Sequence, residues 1–270
     1  MKNHSPDRVA IEEGIVVGTG GGRELKADVF LPPAGLANRA GVLLVHGGAW
    51  LTGDRTQLRS YGILLGRVGY TCVACEYRLA PEAKWPAQIE DVRAAYDWMR
   101  AHADDLGIDD GRIAVEGNSA GGHLSLMLAG TAPGVAACIA IYPPADLARR
   151  MNISDLDRPG RVNPVRELLE RADADALAEA SPTTYARAAF PPTMLVHGNA
   201  DETVPVEQSF LMYRALVDAG AKAELHVFEG APHAFDREPG FGRQCASLMT
   251  LFLGRHVLSR KIEAASLSGG

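Results

Sequence analysis

The sequence predicts an α/β fold: a mostly parallel central sheet of about eight strands, helices on both faces, and a small helical insertion near one edge. Three observations predict it. Apolar runs of strand length alternate with segments of helical periodicity through most of the 270 residues, the pattern of a parallel sheet covered on both sides. A serine between glycines, in Gly117-Asn118-Ser119-Ala120-Gly121, stands where one such run gives way to a helical segment. Asp201 and His233 each follow a later apolar run, at the strand ends where open α/β sheets keep their sites.

The elements follow in order. Residues 9–17 and 24–31 form an opening antiparallel pair, because the glycines of 18–22 permit a tight reversal and Pro32-Pro33 stop the second strand. The glycines of 18–22 also faintly resemble a nucleotide-binding loop, but their spacing is wrong and they join two strands, not a strand and a phosphate-binding helix. Residues 42–45 are a buried strand that runs into His46-Gly47-Gly48-Ala49-Trp50. In the strand at 70–75, the odd separation of Cys72 and Cys75 sends them to opposite faces, so they read as free buried thiols and not as a redox or zinc pair. After Pro86, Ile89, Val92, Tyr96 and Met99 recur at helical spacing.

Residues 112–115 are the strand before the glycine-flanked serine, and 124–128 belong to the helix after it. A strand at 138–142 precedes residues 146–190, which interrupt the strand-helix rhythm with short helical patterns at 165–171 and 175–180. An insertion here rests over the carboxyl edge of the sheet as a small lid or pocket wall. Its six arginines (149, 150, 158, 161, 166 and 171) have carboxylates close by in sequence, as a solvated surface does. The strand at 194–196 leads to Asp201, a helix lies between Pro205 and Gly220, and the strand at 224–228 leads to His233. No linker or composition break divides the chain, so residues 1–270 are expected to form one domain, with 264–270 as a frayed end.

The serine, aspartate and histidine make one chemical proposition. A strand turning sharply into a helix lifts a serine oxygen clear of the sheet, and its neighbours must be small for the backbone to bend so tightly. Serine is a poor nucleophile at neutral pH, so Ser119 needs a base. His233 can take the proton and later deliver it to the leaving group, with Asp201 fixing the imidazole tautomer. Backbone amides of Gly48, Ala49 and Ala120 can hold the developing oxyanion, and no metal or organic cofactor is needed. Alternatives remain within the set: Glu202 adjoins Asp201, and His197 also ends a strand. His46 reads as a brace for its loop, and His123, one turn after Ser119, as packing behind it. Trp50 and Trp85 either line an acyl or aryl pocket or are core.

The order Ser, Asp, His resembles the α/β-hydrolase superfamily. Closer resemblance is to the compact esterases around hormone-sensitive lipase and to related carboxylesterases and arylformamidases. It is carried by His46-Gly47-Gly48, by Tyr77-Arg78-Leu79-Ala80-Pro81-Glu82, by Gly117-Asn118-Ser119-Ala120-Gly121-Gly122, and by His197-Gly198 through Asp201 to Val204-Pro205. The resemblance covers residues 9–253 and favours Asp201 over Glu202 as the acid. It implies that Tyr77, Arg78 and Glu82 shape the loop beside the oxyanion segment. Two departures narrow the branch: Ala49-Trp50 stand where lipase-like members carry a third glycine, and Asn118 stands where they carry aspartate. Only about eight residues precede the first strand, where many members carry a helical cap.

Composition excludes several classes. The net charge of −6 has both signs interspersed, which leaves no basic footprint for nucleic acid. Four cysteines are no disulfide framework for a chain of this size. The N-terminal residues lack an apolar core of signal-peptide length and no run approaches a membrane span, so a cytoplasmic protein is expected. The expected activity is that of a serine carboxylesterase on small, uncharged acyl esters. Its alternatives are an arylformamidase, an esterase that deacylates carbohydrates or aromatic acids, and a non-catalytic ligand receptor of the same fold. Association of like copies into a homo-oligomer is left open.

Overall fold

A computed structural model describes residues 8–149 and 162–259. Eight strands form one sheet in the order β1-β2-β4-β3-β5-β6-β7-β8. These are β1 (Ala10–Gly20), β2 (Arg23–Leu31), β3 (Gly41–Val45), β4 (Thr71–Cys75), β5 (Ile113–Asn118), β6 (Cys138–Ile141), β7 (Thr193–Gly198) and β8 (Ala223–Phe228). The β1–β2 and β2–β4 pairs are antiparallel, and every later pair is parallel.

The helices are α1 (Arg59–Gly66), α2 (Ala87–Ala101), α3 (Ala120–Thr131), α4 (Pro164–Leu168), α5 (Ala174–Glu179), α6 (Glu207–Asp218) and α7 (Pro239–Leu253). Strand alternation divides the core into two layers. On one face Leu43, Val73 and Val115 pack with Val92 of α2, Leu124 of α3 and Met212 of α6. Val42, Ala74 and Ala114 pack on the other face with Leu65 of α1 and Met249 of α7. Cys75 belongs to the first layer and Cys72 to the second, as their odd spacing requires, and all four cysteines are free and buried.

The opening hairpin differs from expectation in its turn. Gly18, Thr19 and Gly20 continue β1, and the reversal is made by Gly21 and Gly22 alone, at φ 57° and 82°. The strand persists because a backbone without β-carbons at Gly18 and Gly20 can lie flat over α2: a β-carbon at Gly18 would come to 3.3 Å from that of Ala94, and one at Gly20 to 2.5 Å from Asp91 Oδ1.

The described part of 146–190 contains α4 and α5 and a 3-10 turn at Pro182–Tyr185. It is anchored in the first layer by Leu168, Ala180 and Phe190, all buried. Arg149 pairs with Asp146 at 3.6 Å and Arg171 with Asp173 at 3.3 Å. Arg150, Arg158 and Arg161, like the terminal stretch 264–270, lie outside the described residues.

Candidate active site

The parallel register sets the site. Val45 pairs with Gly117 and Asn118 with Ile141, so β3, β5 and β6 end at one level. The loops that follow them open onto a common edge, as do those after β7 and β8.

Ser119 is held in a turn that its neighbours make possible. Its backbone has φ 53°, a conformation rare for a residue with a β-carbon. Gly117 and Gly121 are required on either side by volume: a β-carbon at Gly121 would overlap the carbonyl oxygen of Val45, and one at Gly117 would overlap that of Gly121. Helix α3 can therefore start directly against β3, leaving the serine half-buried with its oxygen clear of the sheet.

His233 Nδ1 lies 2.6 Å from Asp201 Oδ2, and His233 Nε2 lies 3.1 Å from Ser119 Oγ. Asp201 is buried beyond the end of β7, and its Oδ1 accepts from the amides of Thr203 and Val204 at 2.9 and 2.8 Å. Burial alone would raise this carboxyl, but hydrogen bonds with His197 and His233 outweigh it and hold the group well below the usual carboxylate range. An ionised Asp201 only accepts, so His233 carries its hydrogen on Nδ1 and turns the Nε2 lone pair toward the serine hydroxyl.

His197 and His46 are held by contacts of their own. His197 Nε2 donates to Val204 O at 2.9 Å and lies 3.4 Å from Asp201 Oδ2, and its Nδ1 accepts from Ser209 Oγ at 2.7 Å. His46 braces its loop by donating from Nδ1 to Gly47 O at 2.8 Å and stacking on Tyr77 at 4.2 Å, while Tyr77 donates to His46 O at 3.0 Å. Arg78 grips Asp91 through Nη2 and Nε at 2.7 and 2.8 Å, fixing that segment on α2. Glu202 and Glu82 are exposed.

The loop after β3 curls back over the serine. Gly48 has φ 118° and its carbonyl accepts from the amides of Leu51 and Thr52, both at 3.0 Å. Among the described residues the amides of Gly48, Ala49 and Ala120 make no internal hydrogen bond, which leaves three donors beside Ser119.

A cleft of about 370 Å³ contains Ser119 and His233, walled by Gly47 to Ala49, Leu51 and Thr52 on one side and by Tyr142, Thr203 and Arg237 on the other. Neither tryptophan lines it. Trp50 is 1% exposed because Ala49 and Trp50 both take left-handed backbone, at φ 54° and 62°, which turns the indole under the loop. Its Nε1 donates to His123 Nδ1 at 3.3 Å, and His123 Nε2 donates to Ala180 O at 2.7 Å. Trp85 is half-buried, with its ring 5.7 Å from that of His123 and its amide donating to Leu168 O at 2.8 Å. Both tryptophans are thus packing for α3 and the described part of 146–190, and no described residue of 146–190 lines the cleft.

Sequence reasoning missed Tyr142, whose ring sits 4.6 Å from that of His233, and Asp236, three residues after the histidine. A tyrosine just past a buried strand and an acid just past a candidate base were the available signals.

Comparison with known proteins follows the same direction. A family model described as BD-FAE matches residues 27–216. Esterase LipQ of Mycobacterium tuberculosis is 33% identical over 252 residues, covering 87% of this chain and 60% of that protein. Esterase LipC of the same organism is 33% identical over 249 residues, covering 81% of this chain and 59% of that protein. The chain therefore spans about three-fifths of the length of these curated relatives. Esterase 2 of Thermogutta terrifontis, solved phosphonylated by cyclosarin, superposes with a TM-score of 0.76 at 27% identity, covering 90% of this chain and 93% of that one. An esterase of Pyrobaculum calidifontis superposes with a TM-score of 0.79 at 26% identity, covering 92% and 86%.

Proposed function

We infer, from the premise that this chain belongs to the BD-FAE family and has the α/β-hydrolase fold, that it is a serine carboxylesterase cleaving short-chain acyl esters through an acyl-enzyme intermediate. The observation that carries this reading is the unbroken chain Asp201–His233–Ser119, at 2.6 and 3.1 Å.

Ser119 Oγ attacks the acyl carbon as His233 Nε2 takes its proton, and the carbonyl electron pair moves onto oxygen. The amides of Gly48, Ala49 and Ala120 stabilise that oxyanion. His233 then protonates the leaving alkoxide, the ester C–O bond breaks, and an acyl-serine remains. Water repeats the sequence with His233 as base, releasing the acid and restoring the serine. Asp201, ionised throughout, stabilises the imidazolium formed in each half. A phosphonylated adduct of the Thermogutta esterase supports the same nucleophilic chemistry here. The chain acts as one domain with 146–190 as an insertion beside its active-site edge, and four unpaired buried thiols support a cytoplasmic location.

The cleft sets the substrate range. In about 370 Å³, with no long apolar wall among the described residues, carbons beyond the pocket gain none of the roughly 0.8 kcal/mol that a buried methylene contributes. Activity on p-nitrophenyl esters is expected to peak between acetyl and butyryl and to fall at least about tenfold in kcat/KM by decanoyl, a difference of roughly 1.4 kcal/mol. N-formylkynurenine measured beside this series separates an esterase from a formamidase. Equal or better turnover of the decanoyl ester would overturn the short-chain assignment.

A further inference from the structure

Behind the serine lies a carboxylate that takes no part in the proposed chemistry. Asp236 is 8% exposed, in the 3-10 turn Phe235–Arg237 that follows His233. Its Oδ2 accepts from Tyr61 Oη at 3.1 Å and from Asn118 Nδ2 at 3.2 Å, and its Oδ1 accepts from Tyr142 Oη. Two of these three donors lead directly to the reacting groups. Asn118 is the residue before Ser119, and the Tyr142 ring packs 4.6 Å from the His233 imidazole, tilted by 58°.

Both leads are backbones that do not hold themselves. Ser119 has φ 53° and Tyr142 has φ 40°, and residues with β-carbons persist there only where the surroundings over-determine them. Ser119 N donates to Ile141 O at 2.8 Å and Tyr142 N to Val196 O at 2.7 Å, which fixes the main chain. Asp236 fixes the adjoining side chains from a single point.

The surrounding face of β5 fits this role. Glu116 points to the same side of the strand as Asn118, is fully buried, and has no partner among the described residues for either oxygen. Burial first, and Asp236 second, push its carboxyl well above the usual range, so it stays protonated. Asn118 rather than a third acid between them gives Asp236 a donor. Aspartate at position 118, the residue of the lipase-like pattern, would set one carboxylate against another.

We propose that Asp236 is a positioning residue for ester hydrolysis, holding the nucleophile through Asn118 and the base through Tyr142 so that the Ser119–His233 hydrogen bond is set from behind. The proposal rests on Ser119 and His233 being nucleophile and base. It also makes positions 118 and 236 an exchangeable amide-carboxylate pair.

The test measures kcat and KM on p-nitrophenyl acetate, with competent serines counted by stoichiometric organophosphate titration so that unfolded protein does not enter the rate. Asp236→Asn turns one of the two oxygens on which three donors converge into a donor itself, and is expected to lower kcat per titrated serine at least about tenfold with KM changed less than about twofold. Asn118→Asp alone is expected to do the same. The exchanged double variant Asn118→Asp/Asp236→Asn restores a donor-acceptor pair and is expected to recover at least about fivefold over either single variant. A structural role alone would not give that rescue in the rate per competent serine. Should Asp236→Asn fail to fold, Tyr142→Phe and Asn118→Ala each cut one arm, and each is expected to lower kcat by about threefold or more. The proposal is overturned if Asp236→Asn stays within about twofold of wild type, if the exchange gives no recovery, or if both single-arm variants are unaffected. An absence of organophosphate labelling at Ser119 in the wild type would instead remove the underlying reading of the site.

Discussion

Two glycine-rich pentads of this chain, residues 18–22 and 117–121, look alike in composition and do opposite things. At the hairpin, Gly21 and Gly22 supply positive φ, and a β-carbon at Gly22 would meet nothing within 4 Å. At the elbow, Gly117 and Gly121 have ordinary φ, and it is the missing β-carbons that matter, because neighbouring carbonyl oxygens occupy their places. There the positive φ falls on the serine itself, at 53°. One pentad needs conformational freedom and the other needs empty volume, and only the second leaves the candidate nucleophile in a conformation its neighbours enforce.

The largest test of this difference is Ser119→Ala. On the proposed mechanism one hydroxyl at the sheet edge carries covalent catalysis but little packing, so turnover should fall by as much as about a millionfold while the thermal midpoint stays near wild type. Retention of more than a few per cent of activity would remove Ser119 from the chemistry and make the elbow a turn like the other.

Next in size is Gly121→Ala. The added methyl has no room beside Val45 O and backbone cannot yield as a flexible side chain does, so about 3 kcal/mol or more of stability should be lost with activity falling in parallel. Chemical denaturation with an activity assay at each step checks it. A well-folded, active Gly121→Ala would show that the elbow tolerates volume after all.

These two pentads also show how far the sequence could be read. The elbow was legible because its demands are local: small flanks, an apolar run before, a helical run after, and later strand ends for Asp201 and His233. The hairpin was legible as a reversal, but its exact turn was not, since Gly18 and Gly20 stay in the strand through contact with α2, across more than 70 residues of chain. The place of Trp50 stayed open for a similar reason. Whether an indole faces the cleft or the core depends on two left-handed residues, Ala49 and Trp50, which neither periodicity nor composition marks. Asp236 meets its partners Asn118 and Tyr61 over sequence separations of 118 and 175, beyond any pattern read along the chain.

Per pH unit, a smaller effect separates the regions. Burial holds His46, under the loop after β3, and His123, behind the elbow, at about 4, whereas an unfolded histidine takes a proton near 6.5. Between those values the unfolded chain binds more protons than the folded one, so these two groups make stability fall as pH drops from about 6.5 to about 4. Each contributes a slope of about 1.4 kcal/mol per pH unit. His123→Gln can keep both of that ring's hydrogen bonds without titrating, and should remove one histidine's share of the slope in unfolding curves taken across that range. No histidine lies in the hairpin, so amide exchange in acid should rise in α3 before it rises in β1. Equal loosening of both would break the distinction.

The smallest effect belongs to Gly22→Ala. The site is open, so volume is irrelevant, and the whole penalty is an L-residue in left-handed backbone at φ 82°, about 1 kcal/mol. Denaturant midpoints should shift by that amount while kcat/KM is unchanged. The reason to measure activity as well is Gly20, which adjoins the turn: a β-carbon there would come to 2.5 Å from Asp91 Oδ1 and 2.8 Å from Arg78 Nε. Arg78 follows Tyr77, which holds His46 O in the loop after β3. If Gly22→Ala costs activity out of proportion to stability, strain in the turn is passing along β1 through Gly20 and Arg78 to that loop, and the two pentads are mechanically one. Unchanged kcat/KM would show that the flat packing of β1 on α2 absorbs the turn, leaving the elbow's geometry to its own neighbours.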